Sequence, residues 1–258
     1  MAADNVEDIL KDSLSFFGGE PIADRDIISY GPLQLTVALK EGKANTLLAD
    51  HLFSPSLFLA ERIERGLIPF AGRTTIELGS GCGLPSLLMA TRKEPPTLVV
   101  VTDYPDEGIL GNLKENVSRN ASQYSNECKV IPLGYDWGTD TSHLKSLLSP
   151  TQDGFDIVIL SDLLHFNSSH NALVKSLSLL LSKSSHSVAY IAAGKYTYPH
   201  VCENFIRLGR DAGFVIEELL PTAEESEWLG ECQVGDFDKE ALSIRKAVCR
   251  FWTSRWSM

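Results

Sequence analysis

The sequence is poor in several features that would fix its class at once. Its five cysteines (Cys82, Cys128, Cys202, Cys232 and Cys249) are widely spaced, odd in number and without a C-x-x-C pair. That pattern argues against a disulfide scaffold and against a zinc ribbon. His200 and Cys202 suggest no metal site either, because residues two apart on a helix do not share a face. No apolar run is long enough to span a membrane. The opening MAADNVEDIL has neither the basic start nor the apolar core of a secretory signal. Basic residues are outnumbered, 23 Lys and Arg against 34 Asp and Glu, giving a net charge of −11. Nonspecific binding to nucleic acid needs a basic face, so a polyanion is a poor partner. No internal repeat and no low-complexity block occurs. These absences lead us to expect a soluble cytoplasmic monomer without metal, nucleic acid or membrane partners.

The 258 residues, 43% hydrophobic and 22% charged, suit an ordinary globular α/β protein and exclude disorder over most of the chain. Charge is unevenly spread. Residues 1–26 hold seven acids and two bases, and residues 217–240 hold nine acids and one base, so the remaining chain is close to neutral.

Periodicity divides the chain. Val6, Ile9, Leu10, Leu14 and Phe17 have helical spacing, and the Gly31-Pro32 pair separates two short β-like runs over 27–39. This gives an N-terminal extension, 1–50, of one helix and a short hairpin, followed by one domain over 51–258. A helix is expected over 56–65. From Thr74 onward strands (74–78, 97–103, 129–135, 155–161, 187–193) alternate with helices (85–92, 107–119, 169–182, 199–212). Each helix carries one apolar stripe, such as Leu173, Leu177 and Leu181. All-apolar strands in βα alternation mean a parallel sheet covered on both faces. The last two strands, 214–220 and 246–253, flank an acidic, irregular stretch with no periodic helix, which suggests an antiparallel edge pair.

The chemistry concentrates at Ile76-Glu77-Leu78-Gly79-Ser80-Gly81-Cys82-Gly83-Leu84-Pro85, a strand, a glycine-rich turn and a helix opened by proline. Glycines let the backbone turn tightly and approach a ligand closely. The spacing is G-x-G-x-G, unlike the G-x-G-x-x-G of dinucleotide sites. No Y-x-x-x-K dyad and no G-x-S-x-G elbow occur, which disfavours a nicotinamide-dependent oxidoreductase and a serine hydrolase. The next strand ends in Asp103, about 20 residues past the glycines, where a carboxylate can accept hydrogen bonds from two ribose hydroxyls. Glu77, ending the first strand, could meet an ammonium group indirectly. The alternative is a tight turn with no ligand.

Glu77 to Gly83 followed by Asp103 resembles the first two motifs of class I (seven-β-strand) S-adenosylmethionine-dependent methyltransferases, over roughly residues 50–220. Thr102-Asp103-Tyr104-Pro105-Asp106, then Asn112-Leu113 and Asn116, is similar to the fungal nicotinamide N-methyltransferase-like group. That group includes a methyltransferase of the N-terminus and a lysine of translation elongation factor 1A. The resemblance implies a Rossmann-like fold, a mostly parallel seven-stranded sheet in the order 3-2-1-4-5-7-6 with an antiparallel last strand. It also implies S-adenosylmethionine as cofactor, contacted by Phe53, Glu77, Gly79, Ser80, Gly81, Gly83, Asp103, Tyr104, Trp137 and Ser161. Asp136 and Trp137 match the segment that borders the adenine, where an indole face can stack. Phe53-Ser54-Pro55-Ser56 matches a cofactor-closing segment in which tryptophan usually stands at the phenylalanine position.

At the end of the fourth strand, lysine methyltransferases of this group often carry D-x-x-Y, whereas this chain reads Asp162-Leu163-Leu164-His165-Phe166. Asp162 is the catalytic candidate, since a carboxylate can orient an amine or help remove its proton. His165, Phe166 and Tyr196 are candidate acceptor contacts, an aromatic wall favouring a developing cation. A turn aspartate, a loop histidine and, for Trp137, a core indole are the alternative readings. The function implied is N-methylation of a protein amine, with elongation factor 1A as one candidate. Methylation of a small amine such as nicotinamide and a noncatalytic cofactor-binding module are the alternatives.

Overall fold

Gly31, in the left-handed region at φ 52°, turns the chain between β1 (Ile28–Tyr30) and β2 (Leu33–Leu35), the hairpin that the Gly31-Pro32 pair predicts. The computed structural model describes residues 27–222 and 225–257. The helix expected over 6–17 and the acidic residues of 1–26 lie outside the described residues. A short helix, α1 (Gly42–Thr46), has no periodic signal and was not expected. It precedes α2 (Ser54–Glu64), which starts two residues before its expected position and takes Pro55 into its first turn.

The apolar runs then become the sheet. In chain order they are β3 (Thr74–Leu78), β4 (Leu98–Asp103), β5 (Lys129–Gly134), β6 (Ile157–Ser161), β7 (Val188–Gly194), β8 (Phe214–Glu218) and β9 (Cys249–Trp256). Their helices are α3 (Leu84–Ala90), α4 (Glu107–Arg119), α5 (Ser142–Lys145), α6 (His170–Leu180), α7 (Pro199–Asp211) and α8 (Lys239–Ala247). The spatial order is β5-β4-β3-β6-β7-β9-β8, parallel from β5 to β7, with β9 antiparallel to both its neighbours. Numbered from β3, that is the order 3-2-1-4-5-7-6 which the resemblance implied. The edge pair is antiparallel as expected, but α8 fills part of the stretch read as irregular, and β9 starts three residues later than expected. Asp238 caps α8 by accepting from Ala241 N at 2.8 Å.

Alternate residues of each central strand feed two cores. Val99, Val101, Ile157 and Ile159 pack towards α2 and α3, while Val100, Val158, Leu160 and Ile191 pack towards α6 and α7. This two-sided burial explains why the strands read as unbroken apolar runs.

Two asparagines of the resemblance motif have structural work. Asn116 accepts from Thr36 N (2.9 Å) and donates to Thr36 O (2.7 Å), and Asn112 also donates to Thr36 O (2.8 Å). Asn120 repeats the pattern on Gln34 at 2.8 Å in both directions. The amides thus pair with the exposed edge just past β2 as another strand would, and tie the hairpin to α4.

The acidic stretch is pinned from below. Glu61 of α2 accepts from Leu229 N at 2.7 Å and from Lys246 Nζ at 2.8 Å, with both charged side chains buried. Glu64 accepts from Cys232 N at 2.8 Å and from the Tyr30 hydroxyl at 2.9 Å. Among the described residues, no helix is long and apolar enough to cross a membrane.

Candidate active site

β3, β4 and β6 end side by side, and a cleft opens at their carboxyl ends, where parallel sheets place ligands. The glycine turn forms its floor. Gly79 sits at φ 57°, and a Cβ there would meet Leu163 Cδ2 at 2.7 Å and Trp137 Cζ2 at 3.0 Å. Gly81, at φ 55°, lines the cleft and has open space where a Cβ would project. Ser80 ties the turn to β4, its hydroxyl accepting from Thr102 N at 3.1 Å.

Asp103 closes β4 with both carboxylate oxygens engaged. Oδ2 accepts from Gly81 N and Oδ1 from Tyr104 N, each at 2.7 Å. Burial pushes its carboxyl up to about 6, and those two N–H groups oppose the rise. Tyr104 and the half-buried Trp137 also line the cleft, and Trp137 meets Phe166 edge-on with ring centroids 5.5 Å apart.

The opposite wall comes from the end of β6. The Ser161 hydroxyl lies 3.0 Å from that of Ser56. Asp162 adopts φ 62°, a left-handed backbone that costs a non-glycine residue of order 1 kcal/mol or more. Its Oδ1 accepts from Gly194 N at 3.2 Å, and its Oδ2 accepts from the Tyr196 hydroxyl. Burial raises this carboxyl to about 6 as well, against the pull of both donors. His165 and Phe166 follow along the lining, with ring centroids 4.0 Å apart, and Phe53 stands 6.4 Å from His165.

Eleven sequence candidates therefore share one cleft, and three do not line it. Glu77 is fully buried and points to α3, accepting from Ser86 N at 3.3 Å, so it caps that helix's first turn. Gly83 is the residue from which α3 starts, at φ 83°. Tyr196 reaches the site through its bond to Asp162 and through its ring, 6.3 Å from that of Phe53. Sequence reasoning missed the wall of Leu47, Leu48, Ala49 and His51, together with Ser56 and Tyr135. The apolar pair Leu47-Leu48 just ahead of the Phe53 segment was the available signal, but α1 is too short to show a period.

The profile of the lysine methyltransferase family matches residues 37–205. The chain belongs to that family. The match spans the cleft lining from Leu47 to Ser169. A protein N-terminal and lysine N-methyltransferase (EFM7) of Gibberella zeae is 33% identical over 219 residues, 81% of this chain and 79% of the relative. The protein of that description from Schizosaccharomyces pombe is 30% identical over 208 residues, covering 78% and 77%. Among solved structures, mitomycin 7-O-methyltransferase MmcR superposes with a TM-score of 0.50 at 14% identity, covering 83% of this chain and 58% of that one. At that identity the likeness speaks for the fold alone. The chain is thus a methyltransferase on a Rossmann-like sheet, and its family implies S-adenosylmethionine as methyl donor.

Proposed function

We propose that this methyltransferase moves a methyl group from S-adenosylmethionine to a protein amine, a lysine side chain or an N-terminal amine. Elongation factor 1A is the candidate acceptor. The observation that carries this reading is the pairing of two buried carboxylates in one cleft, Asp103 beside the glycine turn and Asp162 across from it.

The residues present fit the cofactor. Each Asp103 oxygen takes one backbone N–H and keeps a lone pair, which suits the two hydroxyls of a ribose. Gly81 leaves backbone-close room that any side chain would fill. The Trp137 indole suits a flat heterocycle. When bound, S-adenosylmethionine supplies a sulfonium methyl that an amine lone pair attacks in line, the broken C–S pair returning to sulfur.

The chain's part is orientation and electrostatics. Asp162, held by Gly194 and Tyr196, accepts an N–H of the acceptor amine and so turns its lone pair. Phe53, His51 and Phe166 exclude water, which strengthens that hydrogen bond. The names of the two relatives, which specify N-terminal and lysine N-methylation, support an amine acceptor.

The ring cluster of Phe53, His165 and Phe166 favours a second reading, a flat small amine such as nicotinamide. Labelled S-adenosylmethionine in a fractionated cell extract separates the two, with Asp103→Ala as control. Label in a protein band, lost in the variant, is expected. Label confined to the small-molecule fraction would overturn the protein reading.

A further inference from the structure

His165 stands three residues after Asp162 and is unusual in its surroundings. His165 is only 8% exposed and lines the cleft with Asp162. Neither of its ring nitrogens has a hydrogen-bond partner among the described residues. An unpaired buried polar group costs about 1–3 kcal/mol, so histidines placed only for packing are normally satisfied. His170 illustrates the contrast five residues later, with Nε2 at 2.7 Å from Leu164 O and Nδ1 at 3.0 Å from Asn204 Nδ2. His165 instead sits between rings that offer no strong partner, Phe166 at 4.0 Å and Phe53 at 6.4 Å.

Burial holds the His165 ring neutral, pushing it down to about 4 with a smaller contribution from the nearby His170. A neutral imidazole has one N–H and one lone pair. In His165 neither the N–H nor the lone pair has a partner among the described residues. The ring that carries this unmatched lone pair is part of the cleft lining. The carboxylate beside it has spare capacity as well, since each Asp162 oxygen takes a single donor.

We propose that His165 is the second hydrogen-bond acceptor for the substrate nitrogen, paired with Asp162, and so selects an amine that still carries two N–H bonds. The inference rests on the protein-amine reading above. A neutral primary amine has two N–H bonds and one lone pair. Two acceptors fix both N–H bonds and leave the lone pair a single direction. A monomethylated amine needs only Asp162, and a dimethylated one needs neither. His165 therefore governs the first transfer and loses its hold at later ones. It is a specificity-determining residue.

The test uses full-length enzyme and a synthetic peptide matching the N-terminus of elongation factor 1A, with its amine free, monomethylated or dimethylated. Turnover is followed by mass spectrometry for wild type, His165→Phe, His165→Asn and His165→Gln, and cofactor affinity by calorimetry. His165→Phe should lose about tenfold in kcat/KM on the free amine, the worth of one hydrogen bond. Its loss should be much smaller at every later state that wild type turns over. One of the two amide variants should restore most of the first-transfer rate, and all should bind S-adenosylmethionine as wild type does. Equal losses at every methylation state, no loss, or failure of both amides to rescue would overturn the role of His165 while leaving the protein-amine reading intact. A wild-type enzyme that transfers no methyl to any of the peptides or to a lysine of full-length elongation factor 1A would overturn that reading and this inference with it.

Discussion

At the residue scale three carboxyls, those of Asp103, Asp162 and Glu77, are buried near the strand ends, and each has different partners. Asp103 faces the cleft with one lone pair left on each oxygen, so Asp103→Ala should weaken S-adenosylmethionine binding by tenfold or more, about 1.5–3 kcal/mol. Titration calorimetry reads this directly, and an unchanged Kd would remove Asp103 from the site. Glu77 is different, because burial lifts its carboxyl to about 8 while Ser86 pulls the other way. Its folded value lies above its unfolded one. The stability it contributes is therefore complete at low pH and is lost as pH rises through about 8. Glu77→Gln should gain in melting temperature relative to wild type between pH 5 and pH 8.5, and a constant difference across that range would refute the assignment. The sequence led to most of the residues that line the cleft, since a glycine turn and an aspartate at the next strand end meet at one edge of a parallel sheet. It did not show their direction. Whether Glu77 faces a ligand or a helix end depends on one side-chain rotation, and the bond from Tyr196 to Asp162 joins residues 34 positions apart.

Elements carry this site by being tied together from a distance. The hairpin owes its place to the amides of α4, and Asn116→Ala leaves the Thr36 N–H and carbonyl short of partners. A loss of about 1–3 kcal/mol in denaturant unfolding is expected. The buried Glu61–Lys246 pair joins α2 to α8, and Lys246→Met should cost about 3 kcal/mol because it leaves the buried carboxylate only the longer ion pair to Arg65, at 3.8 Å. An effect under 1 kcal/mol would mean that Glu61 finds other partners. These ties also explain what periodicity could reveal. The strands and long helices bury whole faces, and so their pattern is written in the sequence. α8 is held by a cap and an ion pair, α1 by a single turn, and neither leaves an apolar stripe. Arg245 of α8, nearly buried, donates to Leu52 O at 3.2 Å and so connects the unexpected helix to the Phe53 wall of the cleft.

The whole molecule is acidic, but the charge is not uniformly free. Within the C-terminal acidic stretch Glu218 pairs with Arg250 and Glu225 with Arg62, while Glu217, Asp238 and Glu240 remain exposed. Exposed acids attract a basic protein at long range, and salt screens that attraction over about 8–10 Å. The KM for a basic protein acceptor should therefore rise with ionic strength, and a salt-insensitive KM would confine the acids to a solubilising role. The central claim is that one cleft holds the cofactor through Asp103 and aims a protein amine through Asp162. The most direct measurement is methyl transfer from labelled S-adenosylmethionine to purified elongation factor 1A by wild type and Asp162→Asn, with cofactor affinity measured alongside. The account predicts label on a lysine or the N-terminal amine with wild type, at least about tenfold less with Asp162→Asn, and equal cofactor affinity in both. Equal transfer by the two enzymes, or transfer to small amines only, would contradict it.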